Sequence, residues 1–228
     1  MTIESGFTVG TFAFLRDLEA NNGKNWFDAN RDRYHAHWLE PAQDFVVALS
    51  NSMASLTPPH HAVPKVNQSI RRINRDVRFS KDKTPYQPAL HLVFWAGDHP
   101  NRAPAIHLVL QPDRVGFGVG LWALTPEMLS DFRKSILDDK AHAQFVKALK
   151  LAESTGCELG PPELKKLPKE LPQDTGRDDL LRRKSVVVRT FEHEASPEKV
   201  LGSKGMDWFA DIARKLAPMD DWLATHLG

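Results

Sequence analysis

The sequence predicts an α+β fold in a single domain, from three observations. Apolar residues recur at helical spacing near both ends of the chain and again over 125–155. Between the first two of these regions lie runs of strict apolar alternation, the period of strands with one buried face. The resulting order is helices, strands, helix, loop, strand, helix, which is that of an α+β domain with an antiparallel sheet. Strands are expected near 70–75, 89–96, 104–111, 114–122 and 185–191, packed with N-terminal, central and C-terminal helices across residues 1–228.

The N-terminal helical region covers 8–56. Phe12, Leu15 and Leu18 share one face, and Asn21-Asn22-Gly23 ends that helix with residues that tolerate a left-handed C-cap. Trp26, Asn30, Tyr34 and Trp38 follow at steps of four, and Pro41 is expected to kink or split the helix that carries them. Phe45, Leu49 and Met53 continue the stripe to Pro58-Pro59.

Leu90, Leu92 and Phe94 alternate with His91, Val93 and Trp95. Ile106, Leu108 and Leu110 alternate with Ala105, His107 and Val109; Val115, Phe117, Val119 and Leu121 alternate with Gly116, Gly118 and Gly120. Pro112-Asp113 is a tight turn that pairs the last two runs antiparallel. With Gln111 facing Arg114, Leu108 faces Phe117 and His107 faces Gly118, so both apolar sets fall on one face. The other face then carries His107 beside three glycines at period two. Such a strip of bare backbone implies the close approach of a helix, another loop or a ligand. His91 shares the parity of His107 if the 96–104 connection keeps the ladder in step.

Thr125-Pro126-Glu127 opens a helix with a capping residue, a proline at its first position and an acid in its first turn. Asp138-Asp139 interrupts it before Phe145, Leu149 and Ala152. Residues 157–184, with four prolines and many charges, read as a surface loop with short helical pieces. The run from Ser185 to Phe191 is a strand; Trp208, Ile212 and Leu216 mark a helix, and Trp222-Leu223 a short cap after Pro218.

Composition excludes several classes. Of 228 residues, 41% are hydrophobic and 26% charged, the balance of an ordinary globular protein, and the net charge is only +1. No apolar run approaches the ~18 residues of a membrane span. Residues Met1 to Gly10 lack the basic and apolar regions of a secretory signal. Cys157 is alone, so no internal disulfide forms, which fits a reducing compartment; a cytoplasmic location is expected. The ten histidines show no zinc-binding spacing, and Gly116-x-Gly118-x-Gly120 lacks the spacing and the strand-to-helix context of a dinucleotide fingerprint, so neither a metal nor a cofactor is expected.

Charge is concentrated instead. Arg71, Arg72, Arg75, Arg78, Lys81 and Lys83 stand within sixteen residues, opposed only by Asp76 and Asp82, so this stretch carries +4. Guanidinium groups present a planar fork suited to phosphate or carboxylate. In an extended segment Arg72, Asp76 and Arg78 share an edge, which sets a carboxylate between two guanidiniums to orient them. Phe79 and Tyr86 offer apolar anchors or stacking faces. Arg182-Arg183-Lys184 forms a second basic group. The expected ligand set is Arg72, Arg75, Asp76, Arg78, Lys81, Lys83, Tyr86, Gly118, Gly120 and Arg183, with His107 as the candidate acid or base. Three readings follow: a site for a phosphorylated or other anionic small molecule, a nucleic-acid module using the same basic motif, or a structural ion-pair network.

The pattern Arg72-x-x-Arg75-Asp76-x-Arg78-Phe79-Ser80-Lys81-Asp82-Lys83-x-x-Tyr86 resembles the signature of an uncharacterised family of conserved hypothetical proteins, found in bacteria with longer relatives in fungi and classed as a domain of unknown function. Asn21-Asn22 to Trp26-Phe27, His107 with the glycine strand, and Leu180 to Ser185 are similar to other parts of that family. The chain departs from it at Gly118-Val119-Gly120, where the family has adjacent glycines, and at Asp174-Thr175-Gly176, where it tends to have Asp-His-Pro. The resemblance implies a shared fold and no established activity.

Overall fold

The structure, a computed structural model, describes residues 6–99, 103–191 and 194–227. Helices α1 (Val9–Ala20), α2 (Lys24–Ala29), α3 (Arg31–Tyr34) and α4 (Glu40–Ala54) come first. Thr8 caps α1 by accepting a hydrogen bond from the Gly10 N–H at 3.2 Å. Pro41 does split its helix: α3 runs into a wider π-type turn over His35–Leu39, and α4 restarts with the proline in its first turn, where no donor is needed.

Strands β1 (Leu90–Trp95), β2 (Ala105–Leu110), β3 (Val115–Leu121), β4 (Glu158–Leu159) and β5 (Val186–Arg189) form one antiparallel sheet in the order β1-β2-β3-β5-β4. The expected register holds, with Leu108 opposite Phe117 and His107 opposite Gly118, and the Gln111 N–H donates to the Arg114 carbonyl at 2.9 Å. Residues 100–102 of the β1–β2 connection lie outside the described residues, as do residues 1–5 of the N-terminal stretch. His91 pairs with Val109, in step with His107, so the two imidazoles share a face.

The segment 70–75 is not a continuous strand. It follows the outer edge of β1 and touches it through isolated bridges, Ile70 to Leu92, with a further bridge from Asn74 to Tyr86. The chain turns away after Arg71, whose N–H reaches the His91 carbonyl at 2.9 Å, because Arg75 N–H bonds to the Pro85 carbonyl instead. The fifth strand is β4, two residues inside the stretch expected to be a loop.

Helices α5 (Pro126–Leu137), α6 (Asp139–Glu153), α7 (Asp178–Leu181) and α8 (Gly202–His226) complete the elements. Thr125 caps α5, accepting from Met128 N–H at 3.3 Å, and Asp138 ends α5 and caps α6 through Ala141 N–H at 2.8 Å. The expected break at Pro218 does not occur: α8 continues through it for 25 residues. The lost backbone bond is offset by packing beyond the proline, where Trp222 stands edge-on to Phe132 and Phe145 and donates its indole N–H to the Ala141 carbonyl at 2.9 Å.

Helices α4 and α8 cover one face of the sheet, where Phe45, Phe94 and Phe209 meet in the core. The other face is treated differently along its width. Val93, Trp95 and Ala105 are buried with Val63 beneath the segment that leads from α4 into β1. Beyond them the face is open, and there stand His91, His107, the three glycines and Arg189.

Candidate functional site

Two cavities meet on this open face. The first, about 610 Å³, is lined by Arg71, Arg72, Asn74, Arg75, Asp76 and His91, among others. The second, about 400 Å³, has His91, His107, Gly116, Gly118, Gly120 and Arg189 among its walls. His91 belongs to both, so the basic segment and the glycine strand border adjoining cavities that share this wall and together make up the groove. Both volumes fall in the range of small-molecule sites.

The cations of the basic segment divide by their partners. Arg75 binds Asp82 and donates to the Thr84 hydroxyl and, at 3.1 Å, to the Thr84 carbonyl. Asp82 is held down to about 2 by the Thr84 N–H first and by Arg75 next. Arg78 lies along Asp76 through paired bonds of 3.0 and 2.7 Å, which holds Asp76 below its ordinary value. Lys83 donates to the Val77 carbonyl at 2.9 Å and so closes the same loop. Arg72 is different. It is exposed on the first cavity and makes no hydrogen bond or ion pair among the described residues, acting on Asp76 only through space. Lys81 is exposed, and Phe79 is 95% exposed with the Arg78 guanidinium 5.8 Å from its ring centroid.

Tyr86 lies apart from both cavities. It is buried and stacked on Phe27 at 4.2 Å, with its backbone clamped by the Asn22 amide on both sides, N–H to Oδ1 at 3.1 Å and carbonyl from Nδ2 at 2.9 Å. Arg183 also lines neither cavity. It is 7% exposed, donates to the Gly160 carbonyl and has its pKa lowered by burial, so the second basic group does not join the first. Arg78, Lys81 and Lys83 stand outside the first cavity, on the loop beyond it.

Within the groove the Nε2 of His91 lies 2.9 Å from the Nδ1 of His107, so one ring donates and the other accepts. Burial pulls His91 down to about 4, helped by the positive Arg71. Burial also lowers His107, to about 3, with His91 and then Arg71 adding to it. At neutral pH the pair is uncharged, and burial makes both rings weaker bases than an ordinary histidine.

The glycines are explained first by strand β5. A Cβ on Gly118 would meet the Arg189 Cβ and the Val188 carbonyl oxygen at 2.6 Å, and one on Gly120, whose φ is +145°, would lie 2.0 Å from the Val186 carbonyl oxygen. Neither a helix nor a loop makes this approach. At Gly116 the nearest atoms are side-chain oxygens of Thr190 and Glu194, at 3.3 and 3.4 Å.

Residues 10–222 match a family described as conserved hypothetical protein, DUF2461. The chain belongs to that family. No curated protein and no solved structure matches the chain. The DUF2461 match covers nearly all of the chain, including the basic segment, the glycine hairpin and α8 as far as Trp222.

Three features of this DUF2461 member escaped the sequence reading. Arg189 and Trp122 line the second cavity, with the guanidinium 5.5 Å from the Trp122 ring and 4.3 Å from that of Phe191. The alternation of 185–191 placed Arg189 on the face of Val187 and could have flagged it. The third is a buried pair, His60 and Asp220, 3.0 Å apart with both side chains fully enclosed. His60 Nδ1 lies 2.7 Å from the Pro58 carbonyl, to which it must donate. Burial pushes the Asp220 carboxyl up. Nothing in the sequence connected residues 160 positions apart. Among the described residues no three His, Cys, Asp or Glu side chains gather as a metal site would require.

Proposed function

We propose that this protein binds a phosphorylated or otherwise anionic small molecule in the groove between the basic segment and the glycine hairpin. The observation that carries the reading is Arg72: a guanidinium exposed on a cavity shared with Arg71 and Arg75, with no partner among the described residues. Arg75 is pre-oriented by Asp82 and Thr84, and Asp76, bonded to Arg78, acts on Arg72 through space. Pre-organised forks of this kind favour oxyanions over their hydration shell. If the groove also carries a reaction, His107 is the acid or base candidate, and an anion bound beside it would offset the burial that makes it a weak base. Cys157 does not serve as a nucleophile in this reading, since burial pushes its thiol up to about 11. The single thiol supports a cytosolic setting, and no helix among the described residues is long and apolar enough to cross a membrane.

Calorimetry with inorganic pyrophosphate tests this reading. Saturable binding is expected, weakened at least tenfold by Arg72→Gln. Because the Arg72 side chain makes no hydrogen bond or ion pair among the described residues, that variant should match the parent in urea stability within about 0.5 kcal/mol. Absence of binding, or equal binding by the variant, would overturn the proposal.

A second reading rests on Phe79, an aromatic ring almost wholly in solvent beside Arg78 and Lys81. That arrangement suits a single-stranded nucleic acid, with a base on Phe79 and its phosphates on the cations. Affinity for an oligonucleotide would then fall steeply between low and moderate salt. It would also fall on Phe79→Ala, with pyrophosphate binding unaltered.

A further inference from the structure

The face positions of β3 at 116, 118 and 120 carry no side chain, whereas the strands on either side do. His107 and Val109 rise from β2, and Val187 and Arg189 from β5. His107, Gly118 and Arg189 lie in one row across the sheet. The cavity of about 400 Å³ over this row, the glycine lane, has backbone at the glycines, with His107 on one side and Arg189 on the other. A Cβ at Gly118 would meet the Arg189 Cβ and the Val188 carbonyl oxygen at 2.6 Å, so β5 leans over β3 here and carries the base of Arg189 close to the lane. At its mouth Trp122 is 72% exposed, an unusual outlay for the largest apolar side chain, and Arg189 is fixed between its ring and that of Phe191. Polar groups border the lane. The Gln111 side-chain amide oxygen accepts from Arg114 Nε at 2.6 Å, which leaves its NH₂ as a donor, and Glu194, paired with Arg114 through Oε2 at 2.8 Å, keeps Oε1 as an acceptor.

We propose that the ligand carries a flat heteroaromatic ring, and that this ring lies in the glycine lane against Arg189 and Trp122 while its anionic end reaches past His91 to Arg72. The chemical class that meets both ends is a nucleoside diphosphate. The proposal rests on the reading of the arginine cavity as the anion end. A flat ring suits a floor without side chains; an alkyl chain would leave the bordering donors and acceptors unpaired.

Calorimetry on the full chain with ADP, pyrophosphate and adenosine, in chelator, separates the two claims. ADP is expected to bind at least tenfold more tightly than pyrophosphate. Trp122→Ala, at an exposed position that leaves the core intact, should remove that advantage and leave pyrophosphate affinity unchanged. Equal affinity for ADP and pyrophosphate, or an equal loss of both in Trp122→Ala, overturns the ring and leaves the anion end standing. No binding of either compound overturns both. Binding of adenosine as tightly as ADP overturns the anion end and keeps the lane.

Discussion

A single hydrogen bond ties His91 to His107 in the wall common to both cavities, and it holds only while at least one of the rings keeps an unprotonated nitrogen. Both rings titrate below the ordinary histidine value of 6.5, at about 4 and about 3. The unfolded chain therefore takes up protons first as pH falls. Their contribution to stability is complete above pH 6.5 and is lost on descending toward the folded values. Urea unfolding at pH 5 should give a stability about 1–2 kcal/mol below that at pH 6.5, allowing for partial solvent access. The double variant His91→Gln, His107→Gln should flatten that slope. An unchanged slope would place the titration elsewhere. The residue scale is also where sequence reading reached furthest and stopped. Parity along the strands put His107 and the glycines on one face. Whether Arg75 or Arg72 was spoken for depended on Asp82 and Thr84 folding back, and loop geometry of that kind leaves no periodic trace.

Among the elements, β3 is the one whose sequence and pairing constrain each other most. Gly118→Ala would drive a methyl group into Val188 and Arg189, and Gly120→Ala would add a left-handed strain to a 2.0 Å collision with backbone. Each should cost about 3 kcal/mol or more in chemical denaturation, with loss of the β3–β5 pairing, whereas Gly116→Ala, facing only movable side chains, should cost less than about 1 kcal/mol. A tolerated Gly120→Ala would mean that β5 does not approach as described. The alternating runs made β1, β2 and β3 legible with their register, because one buried face allows only one phase. The segment 70–75 misled for the converse reason: its parity was carried by charges, and charges do not bury. Pro218 misled because local propensity was set against Trp222 and its aromatic neighbours, and packing outweighed it.

Across the whole molecule, one core cluster runs from Phe7 and the N-terminal helices through the sheet to Leu227. Helix α8 touches α4, α6, β2 and β3, and His60–Asp220 ties the connection after α4 to its C-terminal half. Among the described residues the only other buried cluster is the small one of Val93, Trp95 and Ala105 on the opposite face of the same sheet. Heat or urea unfolding followed by tryptophan fluorescence and by far-ultraviolet dichroism should give superimposable transitions. Two separated midpoints would show that the helical ends and the sheet are independent units. The α+β class was readable from the order of periodicities. The groove was not, since it exists only where two distant segments, the basic loop and β5, border the same uncovered part of the sheet.

The two borders of that sheet have a bearing on behaviour at high concentration. Along β1 the outward amide and carbonyl groups are taken by Ser69, Arg71 and His61, and at the far side β4 is only two residues long. On the β1 side a foreign strand meets an edge whose His91, Val93 and Trp95 backbones are already bonded, and on the β4 side only a two-residue strand. Extension of the sheet on the β1 side therefore requires the flanking segment at 61–71 to come away first.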